Sequence, residues 1–223
     1  MTLLPPPPQR LVSAIRAAII LFRRLAVGGL MGFYLLPTVT GLPAAAQAPG
    51  GGGAAQPTGS TSGHELILCQ DGSVMGWGNN NIGQLGNNPV AVATPVSVPM
   101  PVGANIVALE ASSALGPNAG SSFAIQANGQ LLAWGSNVTG QLGIGNFSSQ
   151  TPISTTVVQA NGVPLAGVVA VSAGREFTIA LCQDGTVWSW GDNDAAVLGD
   201  KSPLTLRRNY AQQIPSSTLH SIR

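Results

Sequence analysis

The chain has 223 residues, only 8% of them charged, with 29 glycines and a formal net charge of +1. So polar and uncharged a surface lacks the basic face that a nucleic-acid partner requires, which excludes nucleic-acid binding. The charge is also unevenly placed: Arg10, Arg16, Arg23 and Arg24 precede the first carboxylate, Glu65, and from Pro49 onward eight acids face five bases.

The amino-terminal residues 1–24 are proline-rich and then apolar with interspersed arginines. Leu25 to Leu42 is uncharged and mostly apolar, 18 residues that would just cross a bilayer if helical. Ala44-Ala45-Ala46 or Ala46-Gln47-Ala48 supplies a small-residue cleavage site, the better cut falling after Ala46 because Pro49 follows Ala48. Residues 1–48 therefore read as a secretory signal, which makes the rest secreted or periplasmic. An uncleaved anchor through residues 25–42, with the remainder outside the membrane, and an organelle transit peptide are the other two readings. Residues 49–63 form a Gly/Ala/Pro/Ser linker too poor in apolar area to offset the entropy of ordering it.

From residue 64 to 223 the chain repeats itself. Trp77-Gly78-Asn79-Asn80-Asn81-Ile82-Gly83-Gln84-Leu85-Gly86 recurs 57 residues later from Trp134 to Gly143, and after another 56 in an eroded copy from Trp190 to Gly199. A period of that size marks a solenoid or propeller. Each unit holds a turn dipeptide, Asp71-Gly72, Asn128-Gly129 or Asp184-Gly185, which predicts a two-residue type I′ hairpin. The flanking strands are Leu66–Gln70 and Ser73–Trp77, then Phe123–Ala127 and Gln130–Trp134, then Phe177–Gln183 and Thr186–Trp190.

The strand after each turn alternates Met75/Trp77, Leu132/Trp134 or Trp188/Trp190 on one face with Val74/Gly76, Leu131/Ala133 or Val187/Ser189 on the other. Neither face is charged, as expected of a blade packed between two neighbours, with the small residue admitting the next sheet and the Trp filling a wider gap. Fourth strands follow at Thr94–Val98 and Thr151–Ile153, and first strands of the next unit at Ile106–Leu109 and Val168–Val171. Unit one is expected to lack a first strand, because the linker stands in its place. Unit two is expected to have an irregular second strand around Ser121, and unit three to end near Arg208–Ile214. The fold is all-β: an incomplete propeller of about two and a half to three four-stranded blades.

No residue pattern here predicts catalysis. His64 and His220 lack His, Cys or carboxylate partners at ligand spacing, no nucleophile motif accompanies them, and Gly143-Ile144-Gly145 lies between strands instead of opening a helix. No cofactor and no metal is expected. Cys69 and Cys182 occupy the same place in units one and three, too far apart to bridge, and read as small buried residues. Asn137-Val138-Thr139 and Asn146-Phe147-Ser148 match the glycosylation acceptor pattern, but Asn137 is the turn residue of its repeat. The candidate contacts are the loop residues Asn79, Asn81, Asn146, Asp192 and Asp194, expected to be exposed on a rigid scaffold.

The units resemble the regulator of chromosome condensation repeat family, also described as alpha-tubulin suppressor-like repeats. The residues that carry the resemblance are Cys69-Gln70-Asp71-Gly72-Ser73-Val74-Met75-Gly76-Trp77-Gly78, Gly83-Gln84-Leu85-Gly86, Ser172-Ala173-Gly174, Thr178-Ile179-Ala180-Leu181, and the Thr-Pro at 94–95 and 151–152. The resemblance implies a seven-bladed propeller used as a protein-binding platform, whose founding member is a nucleotide exchange factor for a small GTPase. The reading that follows is a non-enzymatic, exported module for a protein partner of unknown identity. The alternatives are an exchange factor of the founding type, or a piece of a longer repeat protein. Open blade edges also lead one to expect self-association.

Overall fold

Strand pairing follows the repeat, with four strands to each unit. The computed structural model describes residues 56–57, 63–87, 90–112, 120–202 and 206–219, within the compact unit Ala54–Arg223. The segment read as a signal or anchor, residues 1–48, lies outside the described residues. The first sheet holds β1 (Gln56–Pro57), β2 (His64–Leu68), β3 (Val74–Gly78) and β4 (Val92–Ser97). The second holds β5 (Ile106–Ala111), β6 (Ser121–Gln126), β7 (Leu131–Asn137) and β8 (Ser148–Thr156). The third holds β9 (Val168–Ala173), β10 (Phe177–Cys182), β11 (Val187–Asp192) and β12 (Arg207–Gln213), followed by a four-residue helix α1 (Ser216–Leu219). Each sheet is an antiparallel meander in chain order.

The structure differs from four expectations. The first unit does have a first strand: Gln56 and Pro57, out of the linker, pair with Leu68 and Ile67. Pro57 is tolerated there because β1 is an edge strand. The second strand of unit two is regular, since Ser121–Ile125 pairs with Leu131–Gly135 in unbroken register.

The hairpins are not type I′. Gly72, Gly129 and Gly185 take positive φ, but Asp71, Asn128 and Asp184 do not. Gly72 N–H donates to Cys69 C=O (3.0 Å) and Cys69 N–H to Ser73 C=O (2.9 Å), and the other two hairpins close in the same way. These are three-residue loops, a type I turn ending in a left-handed glycine. The Asp71 carboxylate accepts from Ser73 N–H (2.9 Å) and Ser73 Oγ (2.6 Å), as Asp184 does from Thr186, which holds the aspartate in the right-handed region.

The fourth change concerns the small residue of β3, β7 and β11. A Cβ on Gly76 would lie 2.9 Å from Leu85 Cδ2, and Ser189 Oγ donates to Leu198 C=O (2.7 Å). The small residue makes room for the loop leucine of its own unit, not for the neighbouring sheet. Leu85, Leu142 and Leu198 are all fully buried as a result.

The cores lie between sheets. Leu66, Val74, Leu85 and Val98 of the first unit pack against Ala124, Leu132 and Trp134 of the second. Phe123, Leu131, Leu142 and Val157 of the second pack against Ala180, Cys182 and Trp190 of the third. Each large apolar side chain sealed in this way contributes roughly 1.5–3 kcal/mol. Trp134 and Trp190 are fully buried at these junctions, whereas Trp77, at the same strand position in the first sheet, is only partly buried.

The two junctions share one polar contact. Trp134 Nε1 donates to the Gln84 carbonyl of the preceding unit (2.8 Å), and Trp190 Nε1 to the Gln141 carbonyl (2.8 Å). A hydroxyl joins each: Ser122 Oγ donates to Gln84 C=O and Thr178 Oγ1 to Gln141 C=O, both at 2.8 Å. Ser122 pairs directly with Trp134 across the hairpin, and Thr178 with Trp190, so indole and hydroxyl reach the same carbonyl from adjacent strands. Trp190→Phe removes one donor and part of a sealed ring, and the expected loss in urea denaturation is about 2 kcal/mol. Trp77→Phe, lacking such a junction among the described residues, is expected to cost less than about 0.5 kcal/mol.

Candidate functional site

The loop that follows β3, β7 and β11 has the same frame in all three units. Its frame is an asparagine: Asn80 Oδ1 accepts from Leu85 N–H (2.8 Å), Asn137 from Leu142 N–H (3.1 Å) and Asn193 from Leu198 N–H (3.1 Å). The amide nitrogen of each then ties down the descending chain. Asn80 Nδ2 donates to Asn87 Oδ1 (2.7 Å), Asn137 Nδ2 to Asn146 C=O (3.0 Å), and Asn193 Nδ2 to Ser202 Oγ (3.2 Å). All three asparagines are buried, so each serves as an internal bracket between two backbone segments.

Glutamine braces the same loop in units one and two. Gln84 Oε1 accepts from Ile82 N–H (3.0 Å), and Gln141 Oε1 accepts from Thr139 N–H (3.0 Å) and Thr139 Oγ1 (2.8 Å). Gln141 Nε2 donates to Ser136 Oγ (3.2 Å). In unit three Val197 stands in the glutamine's place, and the loop depends on its asparagine. Sequence reasoning read the repeated asparagine as a turn residue, which Asn80, Asn137 and Asn193 are, but missed the bracing role of Gln84 and Gln141. The signal for the set was the recurrence of Asn three residues after each Trp and of Gln-Leu-Gly in two copies.

With the frame buried, the apex of each loop stands in solvent. Asn81 and Asp194 are exposed, and Val138, at the same repeat position, is 55% exposed. Asn79 is half-buried and its Oδ1 caps Asn81 N–H (3.1 Å). Asn146 is exposed in the loop between β7 and β8, and receives the Asn137 amide on both its carbonyl and its Oδ1. Asp192 is a correction. It is 7% exposed at the end of β11, its carboxylate held by Arg207 Nε (3.0 Å) and Asp194 N–H (3.2 Å), so it shapes the apex without standing on it. The structure therefore places Asn79 with Asn81, and Asp192 with Asp194, on loops of different sheets.

Other chemistry-bearing groups are committed to structure. His64 is buried, its Nε2 2.9 Å from Ser122 Oγ across the first junction, and burial lowers its pKa to about 4. Burial pushes the Cys182 thiol up to about 11, with Thr186 opposing and Asp184 adding to the shift, so that thiol is unreactive at neutral pH. Burial also disfavours charge on Asp200, but hydrogen bonds from Ser202 and Arg208 outweigh it and hold that carboxyl below its ordinary value. Arg208 and Asp200 form a buried pair at 2.5 Å that joins β12 to the loop of its own unit. Among the described residues, no group of three or more His, Cys, Asp or Glu could hold a metal ion, and no helix is long and apolar enough to cross a membrane. An open groove of about 530 Å³ runs along β8, with Phe147 and Ile153 exposed beside Asn146, Gln150 and Thr155.

Family comparison agrees with this repeat geometry. Models of the regulator of chromosome condensation repeat match residues 71–114, 128–181 and 168–195. The chain belongs to the regulator of chromosome condensation repeat family. Among relatives in that family, a Xenopus laevis Protein RCC2 homolog is 30% identical over 145 residues, covering 65% of this chain and 26% of that protein. The human Probable E3 ubiquitin-protein ligase HERC6 is 34% identical over 142 residues, covering 61% of this chain and 13% of that protein. Among solved structures, human WBSCR16 superposes with a TM-score of 0.60 at 21% identity, over 77% of this chain and 40% of that one. Yeast RCC1 (Prp20), in a crystal structure bound to Kap60, gives 0.57 at 22% identity, over 69% and 35%. The propeller-type fold is thus shared, while this chain spans about a quarter of the first relative's length.

Two measurements test the site. Asn137→Ala should cost about 2–3 kcal/mol in urea denaturation, since it strands a buried Leu142 N–H, whereas Asn146→Ala should cost under about 1 kcal/mol because solvent replaces its contact. His64 stays neutral in the fold, but the unfolded chain protonates it below the ordinary imidazole value of 6.5. Between pH 6.5 and about 4 the unfolded state therefore binds more protons, and stability falls as pH falls. The expected loss across that window is on the order of 2–3 kcal/mol, and His64→Gln should flatten it.

Proposed function

We propose that this chain is an exported, non-catalytic protein-interaction module whose contact surface is the row of loop apices at Asn81, Val138 and Asp194. One observation carries the reading: three loops with the same buried asparagine bracket present three chemically different residues at the same exposed position. A fixed frame with a varied tip is how loops on rigid scaffolds acquire specificity. Asn79 and Asn146 flank the row, and Asp192 fixes the third tip through Asp194.

Export is supported by the composition of residues 1–48, and membrane anchoring through residues 25–42 is its variant. The exchange-factor alternative draws on the family's founding type. A structure of yeast Prp20p carries in its own description binding to Gsp1p and histones, which makes proteins the class of partner to test. The ligase activity named for HERC6 is that protein's own, and this chain covers 13% of it.

A photo-crosslinker at Val138 of the full chain, expressed in its source cells, should capture a protein outside the cytoplasm. Capture should be lost when Asn81 and Asp194 are both changed to arginine. Acceleration of nucleotide release from a purified small GTPase would instead support the exchange-factor reading, and recovery of the repeat unit from the cytoplasm would refute export.

A further inference from the structure

The contact that joins neighbouring sheets has three requirements, and the first and third units each break one of them. First, a tryptophan donates to a loop carbonyl of the preceding unit, as Trp134 and Trp190 do. Second, the residue paired across the hairpin from that tryptophan must bring a hydroxyl, as Ser122 and Thr178 do. Third, the preceding loop must lack a Cβ before its glutamine, because the outer strand of the next sheet passes there. A Cβ on Gly83 would lie 2.6 Å from Pro152 Cα, and one on Gly140 would lie 2.7 Å from Asn209 Cα.

The first sheet keeps Trp77, but the residue paired with it is Glu65. A carboxylate cannot donate to a carbonyl, and seating it against one in a sealed interface sets like polarity against like. The third loop carries Ala196 where the others have Gly83 and Gly140. Ala196 adopts the same backbone conformation, with φ 56 against 77 and 80. Its N–H donates to Asn193 C=O (2.9 Å) just as Gly83 and Gly140 donate to Asn80 and Asn137 (both 3.1 Å). The loop has kept its shape at the cost of a strained non-glycine residue, and its Cβ stands where a following outer strand would run.

We propose that Glu65 and Ala196 are paired blocking devices that bar a second copy of this chain from docking head-to-tail on its first and third sheets. The two substitutions lie on opposite sides of the one contact such stacking would need, so either alone weakens it and together they close it. Self-association through the first and third sheets is therefore opposed by residues of those same sheets.

The test uses the full chain with Met75→p-benzoylphenylalanine, on the same face as Trp77, and a mixture of isotope-labelled and unlabelled copies. Crosslinks between copies that join position 75 to the loop at 195–199 report head-to-tail docking. In the Glu65→Thr, Ala196→Gly, Val197→Gln variant their yield should rise at least about tenfold over the parent, the equivalent of one restored contact. Equal yields in parent and variant, whether high or low, would overturn the proposal. As an independent arm, Thr178→Glu and Gly140→Ala move the same two blocks into the second junction. Each should raise hydrogen exchange across β10 and β11, and unchanged protection there would also sink the idea.

Discussion

A backbone carbonyl shared by two donors from the next sheet is the interaction on which the rest of this structure depends. Gln84 and Gln141 each offer that carbonyl, and indole and hydroxyl arrive together from adjacent strands of the following hairpin. Sheet-on-sheet packing by apolar contact alone is non-directional and would tolerate sliding. Two hydrogen bonds to one buried oxygen fix the sliding register. A displacement that breaks them leaves the tryptophan N–H and the hydroxyl unsatisfied in a dry interface.

That carbonyl is held in place by the polar interior of its own loop. Asparagine and glutamine side chains act as substitute backbone, and they close the loop without a strand or a helix. This explains how a chain with so few charges can bury so many polar groups. Every buried side-chain nitrogen and oxygen among the described residues has a partner. Amides and hydroxyls supply both donors and acceptors, and they do not carry the desolvation penalty of ions. Among the described residues, the deeply buried ion pair Arg208 with Asp200 lies in unit three, where Val197 has replaced the bracing glutamine.

Where the repeat varies, it varies with meaning. The exposed apex changes from Asn81 to Val138 to Asp194 while the asparagine bracket beneath it is kept. Buried variation is rarer. His64, Ser121 and Phe177 occupy one position, and only His64 brings a titratable ring to a junction, where its neutral state makes the first interface acid-sensitive. Glu65 and Ala196 vary at positions where the two internal junctions admit only a hydroxyl and a glycine.

The sequence by itself determined the period, the all-β class, the strand order within each unit and the family. These depend on local alternation and on spacing along the chain, which the order of residues records directly. It also located the last strand near Arg208–Ile214 and the burial of Trp134 and Trp190. Tertiary structure alone decided the rest. The hairpins became three-residue loops because the Asp71 side chain bonds to Ser73, and dipeptide preference cannot register that contact. The linker residues Gln56 and Pro57 became a strand because the edge of β2 was available to pair. Asp192 turned inward because Arg207, fifteen residues later, folds back beside it. The small residues proved to admit a leucine of their own loop, since which neighbour fills a gap depends on how sheets and loops meet in space, and alternation along a strand only shows that a gap exists.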